Sequence, residues 1–154
     1  MVLRPDQQEL KSRIYASWAS GSRNVLSVAP CGFGKTMCLA DIVKDHHTGV
    51  QIVVAHRQEL TGQISLALAR AGIYHRIVAP PATIRFIVSL HIKKIGRSYY
   101  QPNAPVAVAG VDTLIRREEE LSRFLTQVTL YQTDEGHHQT KEVNKWSRAR
   151  TMAA

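Results

Sequence analysis

The segment that most constrains this chain is Ala29-Pro30-Cys31-Gly32-Phe33-Gly34-Lys35-Thr36. It follows the apolar run Val25-Leu26-Ser27-Val28 and precedes a helix-like stretch. A strand, a glycine-bearing turn ending in Lys-Thr, and a helix surround an anion with backbone N–H groups and the positive end of the helix. Gly32 and Gly34 let the backbone approach phosphate oxygens with no side chain in the way. Lys35 is placed to reach the β and γ phosphates of a nucleoside triphosphate, and the Thr36 hydroxyl to ligate Mg²⁺. Gly32, Phe33, Gly34, Lys35 and Thr36 are therefore the candidate phosphate-binding residues. The general motif begins with Gly where this chain has Ala29, so the bland alternative is a glycine turn joining a strand to a helix.

Such a site also needs a carboxylate at a neighbouring strand end. Val128-Thr129-Leu130-Tyr131-Gln132-Thr133-Asp134-Glu135-Gly136-His137-His138 supplies one. Asp134 suits Mg²⁺, directly or through water, and Glu135 suits the orientation and deprotonation of an attacking water. Adjacent positions at a strand end point in different directions, so two neighbouring acids can take two tasks. The alternative is an acidic turn beside two solvated histidines. A zinc cluster would need more ligands at loop spacings, and the two cysteines, Cys31 and Cys38, both lie near the phosphate loop.

Together these segments resemble motifs I and II of superfamily 2 helicases and translocases. The family's first motif commonly reads Ala-x-x-Gly-x-Gly-Lys-Thr, which accommodates Ala29. Its second reads Asp-Glu-x-His, and His138 resembles the Asp-Glu-x-His-His variant of restriction-enzyme translocase subunits, repair helicases and phage helicases. Gly136 departs from the usual Ala or Cys. Leu3-Arg4-Pro5-Asp6-Gln7-Gln8 resembles the adenine-reading segment, with Gln7, two positions after Pro5, as the base-recognising residue. Val53 to Leu60 resembles motif Ia, in which His56 and Arg57 would touch nucleic-acid phosphates. Val108 to Leu114 resembles a further strand-end contact motif carrying Thr113. The resemblance implies ATP and Mg²⁺ as ligands, Lys35, Asp134 and Glu135 as catalytic residues, and His137 and His138 as couplers of hydrolysis to grip. It also implies a nucleic-acid partner, DNA rather than RNA by family analogy. A phosphate-loop GTPase is disfavoured, because no Asn-Lys-x-Asp occurs and Asn144-Lys145 is followed by Trp146.

At 154 residues the chain is one domain by length. Its net charge of +8 matters less than the distribution. No acidic residue occurs between Glu59 and Asp112, an interval that carries Arg70, Arg76, Arg85, Lys93, Lys94 and Arg97. Lying between two candidate contact motifs, it reads as a polyanion-binding surface; a basic face kept for solubility is the alternative. No apolar run approaches a membrane span and the N-terminus lacks a signal-peptide apolar region, so a cytoplasmic protein without membrane contact is expected.

Along the chain, residues 6–19 read as a helix with Leu10, Ile14 and Trp18 every four positions. Further helices are expected over 35–44, 57–71, 82–95, 113–125 and 141–151, and strands over 24–28, 51–55, 73–78, 106–111 and 128–133. His91, on the apolar stripe of 82–95, reads as a satisfied buried residue rather than a ligand. Tyr99 and Tyr100 read equally as base-stacking groups or as anchors of their loop. Glu118-Glu119-Glu120 reads as a solvated helix face. Gln132 and Thr133 are polar for a central strand and call for hydrogen-bonded partners.

Strands alternating with helices imply an α/β fold, a parallel sheet with helices on both faces; the resemblance implies that it is a P-loop NTPase sheet of the RecA-like kind. The expected domain is the first RecA-like lobe, C-terminally incomplete, ending after motif II. The coupling segment and the second RecA-like lobe would then be lacking, leaving an unpaired gap beside the phosphate-loop strand. The partner would be that missing lobe or a complementing chain. The expected function is the ATP-binding half of an ATP-dependent DNA helicase or translocase, binding ATP·Mg²⁺ and nucleic acid without acting as a motor alone. The alternative is a non-catalytic nucleic-acid or protein-binding module derived from one.

Overall fold

A computed structural model describes residues 3–21, 24–26, 35–46, 49–133 and 150–153. The candidate residues Gly32, Phe33, Gly34, Asp134, Glu135, His137 and His138 lie outside the described residues. Helix α1 (Pro5–Ala19) leads to strand β1 (Asn24–Leu26), then α2 (Lys35–Asp45), β2 (Val50–Ala55), α3 (Gln58–Arg70) and β3 (Arg76–Val78). There follow α4 (Pro81–Ile95), β4 (Val106–Gly110), α5 (Val111–Arg116), α6 (Ser122–Thr126), β5 (Val128–Thr133) and β6 (Arg150–Ala153). The strands form one parallel sheet in the order β1-β6-β5-β2-β4-β3.

The central strands are apolar on both faces, as helices covering both sides of a parallel sheet require. Val53, Ala55, Val106, Val108 and Leu130 pack against α1, α2 and α3, through Ile14, Trp18, Leu39, Ile42, Ile64 and Leu68. Alternate residues Ile52, Val54, Ala107, Ala109 and Tyr131 face the other way, onto Leu114, Leu121, Phe124 and Leu125 of the α5–α6 segment. Leu68 is fully enclosed. Truncating such a side chain to Ala costs about 2–5 kcal/mol, since transfer and cavity terms add.

Helix boundaries follow local chemistry. At the end of α3, Gly72 adopts φ 76° while its N–H and that of Ile73 return to the carbonyls of Ala69 and Leu68, at 3.0 and 2.9 Å. Only glycine takes that left-handed turn without strain, and the two bonds satisfy carbonyls the helix would leave open. Pro81 occupies the first turn of α4, where its missing N–H costs nothing. Polar residues in the central strands also have local reasons. Gln51 Nε2 donates to the carbonyls of Val43 and His46 at 3.0 and 2.7 Å, closing the C-terminus of α2. Gln132 Nε2 reaches the Leu39 carbonyl at 3.5 Å, a long bond, and β5 starts and stops where the sequence places it.

Three expectations are corrected. The position beside β1 is filled, not unpaired: β6 lies there, bonded to β1 on one side and β5 on the other. Arg150 and Thr151 therefore belong to a strand rather than to a final helix; 141–149 lie outside the described residues. The 113–125 helix is two short helices, and Glu118-Glu119-Glu120 sits in the turn between them, with Glu120 paired to Arg117 at 2.6 Å. Among the described residues no helix is long and apolar enough to cross a membrane.

Candidate functional site

Because all strands run the same way, their carboxyl ends share one end of the sheet, where loops and helix starts gather. The register aligns Ala55 with Gly110, Val54 with Thr133, Thr133 with Ala153, and Leu26 with Ala153. Lys35, described through its backbone, opens α2, and Asp134 is the residue after Thr133. The ends of β1 and β5 are two strand spacings apart, roughly 10 Å.

Gln7 lies buried against α2. Its Oε1 accepts from the Arg4 backbone N–H at 2.9 Å, and its carbonyl accepts the Cys38 thiol at 3.8 Å. Cys38 is one turn beyond Lys35, so Gln7 sits beside the first turn of α2. Burial pushes the Cys38 thiol up, which makes it a packing group rather than a nucleophile. One turn beyond Gln7, Lys11 bonds Asp41 and also Asp45, the latter at 2.7 Å, and the Tyr15 hydroxyl donates to Asp45 at 2.6 Å. Burial disfavours the Lys11 ammonium, yet its two carboxylate partners outweigh that and hold its pKa above the usual 10.5. Burial likewise opposes the Asp45 carboxylate, but Lys11 and Tyr15 bring it below its usual 3.8. This tie between α1 and α2 has no local signature, since its partners are 30 positions apart.

At the ends of β2 and β4 the structure joins two predicted contact motifs. His56, Arg57, Thr61, Thr113 and Arg116 line one cleft of about 90 Å³. A wider groove of about 490 Å³ continues from Thr113 and Arg116 across Pro80, Pro81, Ile84 and Arg117. Thr113 is mostly buried and its hydroxyl accepts from Arg116 at 3.4 Å, while Arg57 and Arg116 are exposed. Sequence reasoning missed Arg116, although it lies one turn after Thr113 on the same helix.

The acid-free basic interval does not form one surface between these motifs, as the sequence suggested. Each return helix carries its C-terminus to the opposite, amino end of the sheet. Arg70 closes α3 there, Lys93 and Lys94 lie in the last turn of α4, and Arg97 follows it. Tyr99 and Tyr100 lie in the same region, in the segment leading to β4. They anchor their loop. Tyr100 packs against the cluster of Ile77, Ala79 and Ile87 and forms a parallel bridge with His75. Tyr99 packs on Tyr74 with ring centroids 5.0 Å apart.

Beneath this loop runs a buried polar chain. The Tyr99 N–H donates to His91 Nδ1 at 3.2 Å, and His91 Nε2 meets Ser65 Oγ at 2.9 Å. Ser65 Oγ then meets His75 Nε2 at 2.6 Å, and His75 Nδ1 meets the Ile73 carbonyl at 2.9 Å. The ends fix the tautomers. His91 Nδ1 must accept, so its Nε2–H donates to Ser65; His75 Nδ1 must donate, so its Nε2 accepts the Ser65 proton. Both rings are neutral and fully buried. Burial pushes His75 down to about 4, with His91 adding to the shift and the Ile73 bond opposing it; burial also lowers His91. His91 is thus the satisfied core histidine that its helical stripe implies.

A family model described as "Type III restriction enzyme, res subunit" matches residues 1–153. No curated protein sequence matches the chain. Among solved structures, the fold is similar to a nuclease-deletion mutant of the Type ISP restriction-modification enzyme LlaGI in complex with a DNA substrate mimic, at TM-score 0.67 and 12% identity, covering 100% of this chain and 17% of that one. It is similar to the UvsW helicase of bacteriophage T4 at TM-score 0.63 and 14% identity, covering 99% of this chain and 52% of that one. A hypothetical ATP-dependent RNA helicase from Sulfolobus tokodaii matches at TM-score 0.56 and 18% identity, with 95% and 52% covered. At these identities the likeness establishes the fold. The chain spans about a sixth of the first protein and about half of the other two.

Proposed function

The chain belongs to the type III restriction enzyme res-subunit family, within the superfamily 2 helicases, and from that premise we propose that it is the ATP-binding lobe of a DNA helicase or translocase. The observation that carries this reading is the gathering of its motifs at one end of the sheet. The α2 start at Lys35 and the β5 end before Asp134 lie at the same end as the cleft of His56, Arg57, Thr113 and Arg116.

In this reading Gly32, Phe33 and Gly34 present backbone N–H groups to the triphosphate, and Lys35 holds its β and γ oxygens. The oxygen donors Thr36 and Asp134 suit Mg²⁺, which when bound offsets phosphate charge. Glu135 orients the attacking water and takes its proton. Gln7, beside α2, reads adenine. His137 and His138 follow Glu135 and couple its state to the neighbouring groove, where Arg57, Thr113 and Arg116 hold phosphates of the nucleic-acid strand. Motor activity further needs a second lobe. Arginines supplied across such an interface raise hydrolysis by roughly 10³–10⁵-fold in related nucleotide hydrolases. The chain by itself binds ATP·Mg²⁺ and DNA without unwinding a duplex.

The test is calorimetric titration of ATP·Mg²⁺ into wild type and Lys35→Ala. Charge-assisted bonds to an ammonium contribute about 1.5–3 kcal/mol, so the variant should bind roughly 10- to 100-fold more weakly. Equal binding would remove the nucleotide site and leave a non-catalytic binding module.

A further inference from the structure

We propose that the amino end of the sheet carries a second nucleic-acid contact, a phosphate-backbone surface formed by Lys93, Lys94 and Arg97 with Arg70 beside them, at the opposite end from the Arg57–Thr113 groove. It stands whether or not the chain binds nucleotide.

Three observations support it. First, the charge there is uncompensated. Among the described residues no ion pair involves Arg70, Lys93, Lys94 or Arg97, and residues 60–111 supply no acid to make one. All four are exposed. Second, the patch is preorganised. Arg97 hydrogen-bonds the Tyr74 hydroxyl and lies over the Tyr74 and Tyr99 rings, 5.6 and 5.0 Å from their centroids. Tyr99 in turn is pinned by its N–H to His91 and by its carbonyl, which accepts the His75 N–H at 3.0 Å. Arg97 is therefore a cation on a fixed mount rather than a freely rotating one, which lowers the entropy lost on binding. Third, helix-terminal electrostatics explain only part of it. Two lysines in the last turn of α4 complement that helix's negative end. Arg97 lies beyond the Gly96 cap, where the helix needs no cation.

Exposed cations at this density, with no carboxylate among them and with two tyrosine rings tilted against each other, match the regular anionic spacing of a polynucleotide and read its charge rather than its sequence. A strand held in the carboxyl-end groove cannot also lie on this face without passing round the domain. The second contact thus engages a distal stretch of the same molecule or another segment.

The test measures anisotropy of a labelled 20-nucleotide single strand, and of its duplex, against salt concentration. Each lost phosphate contact reduces the slope of log K against log salt by about 0.7 for single strands and 0.9 for duplex. Lys93→Gln/Arg97→Gln should therefore flatten the slope by roughly 1.4 and 1.8 and weaken binding about 3- to 10-fold at low salt. The control Arg13→Gln, an exposed cation in the middle of α1 paired to Glu9, should leave the slope unchanged. Because Arg97→Gln could loosen its loop, Lys93→Gln/Lys94→Gln, which removes no ring contact, is measured in parallel with the same expectation. Acetylation of Lys93 and Lys94 should also slow when DNA saturates the protein. The proposal is overturned if both patch variants match the control, if both lysines stay fully modifiable in the complex, or if poly-glutamate of equal charge competes as well as DNA. The last outcome would assign the face to an acidic polypeptide.

Discussion

The two ends of the parallel sheet are built by opposite means. At the carboxyl end, exposed cations and a hydroxyl ring a cleft, set in place by backbone register alone: Arg57 follows β2, and Thr113 and Arg116 follow β4. Between α1 and α2, the tie of Lys11 with Asp41 and Asp45 is charged, mostly enclosed at Lys11 and Asp41 and open to water at Asp45. At the amino end the basic loop rests on a buried, neutral chain of two histidines and a serine. A charged tie with one carboxylate open to water tolerates loss better, because water replaces a missing partner there. A buried neutral chain does not, because every member needs each neighbour. The exposed cleft residues and the charged α1–α2 tie can therefore vary at smaller structural cost than the buried chain beneath the basic loop.

The sharpest way to break that contrast is Ser65→Ala. It leaves His75 Nε2 without a donor and the His91 Nε2–H without an acceptor, both sealed from water. At about 1–3 kcal/mol for each orphaned group, the variant should lose roughly 2–4 kcal/mol in urea unfolding. A loss under about 0.5 kcal/mol, within the range of ordinary surface substitutions, would mean the chain locks nothing.

Acid gives the next largest effect. The folded protein keeps His75 neutral down to about 4, while the unfolded chain takes up a proton near the ordinary 6.5. Unfolding therefore binds a proton within that window, and stability falls as pH drops through it, by up to about 1.4 kcal/mol per pH unit for this one group. The groups near His75 are His91, Tyr74, Tyr99, Tyr100 and Arg97, none of them a carboxylate that could offset the effect. The ring-proton NMR shift of His75 should stay flat from pH 7 to 5 while the urea midpoint declines. Titration of that shift near 6.5 would show a hydrated histidine and end the contrast between the two ends.

Much of this architecture is legible in the sequence because local periodicity records it. Leu10, Ile14 and Trp18 mark α1, the Ile52-Val53-Val54 run marks β2, and the apolar Val106-Ala107-Val108-Ala109 run marks β4. Gly72 marks the α3 stop through the one backbone conformation it makes cheap. The candidate cleft is partly legible for the same reason: His56, Arg57 and Thr113 each follow a recognisable strand end. What escapes is set by pairing across distance. Ser65 is one hydroxyl among apolar neighbours, and nothing near it names His75 or His91 as partners. The basic interval misleads because proximity in sequence is not proximity in space. A β-α-β chain changes ends with every element, so Arg57 and Arg70 lie at opposite ends of one helix. β6 escapes because Arg150-Thr151-Met152-Ala153 carries little β-branched character, and its place between β1 and β5 comes from the sheet.

The smallest predicted effect sharpens the contrast from the other side. Lys11→Met keeps an unbranched apolar side chain of similar length and removes the ammonium, with its contact over the Tyr15 ring at 5.4 Å. Asp45 keeps ready access to water and Asp41 a narrower one, so the cost should be about 1 kcal/mol at neutral pH. The sign of the linkage separates this tie from the buried chain. Lys11 is raised above 10.5, so its contribution is complete below that value and fades only as pH rises through the folded pKa; Asp45 is lowered below 3.8, so its contribution fades only as pH falls past that. Between those limits the wild type minus Lys11→Met difference should be level, while the His75 contribution declines with acid. Because Gln7 lies one turn before Lys11 on the same helix, the variant should also weaken ATP more than tripolyphosphate. A loss matching that of Ser65→Ala would mean that the charged α1–α2 tie locks the fold as tightly as the buried neutral chain.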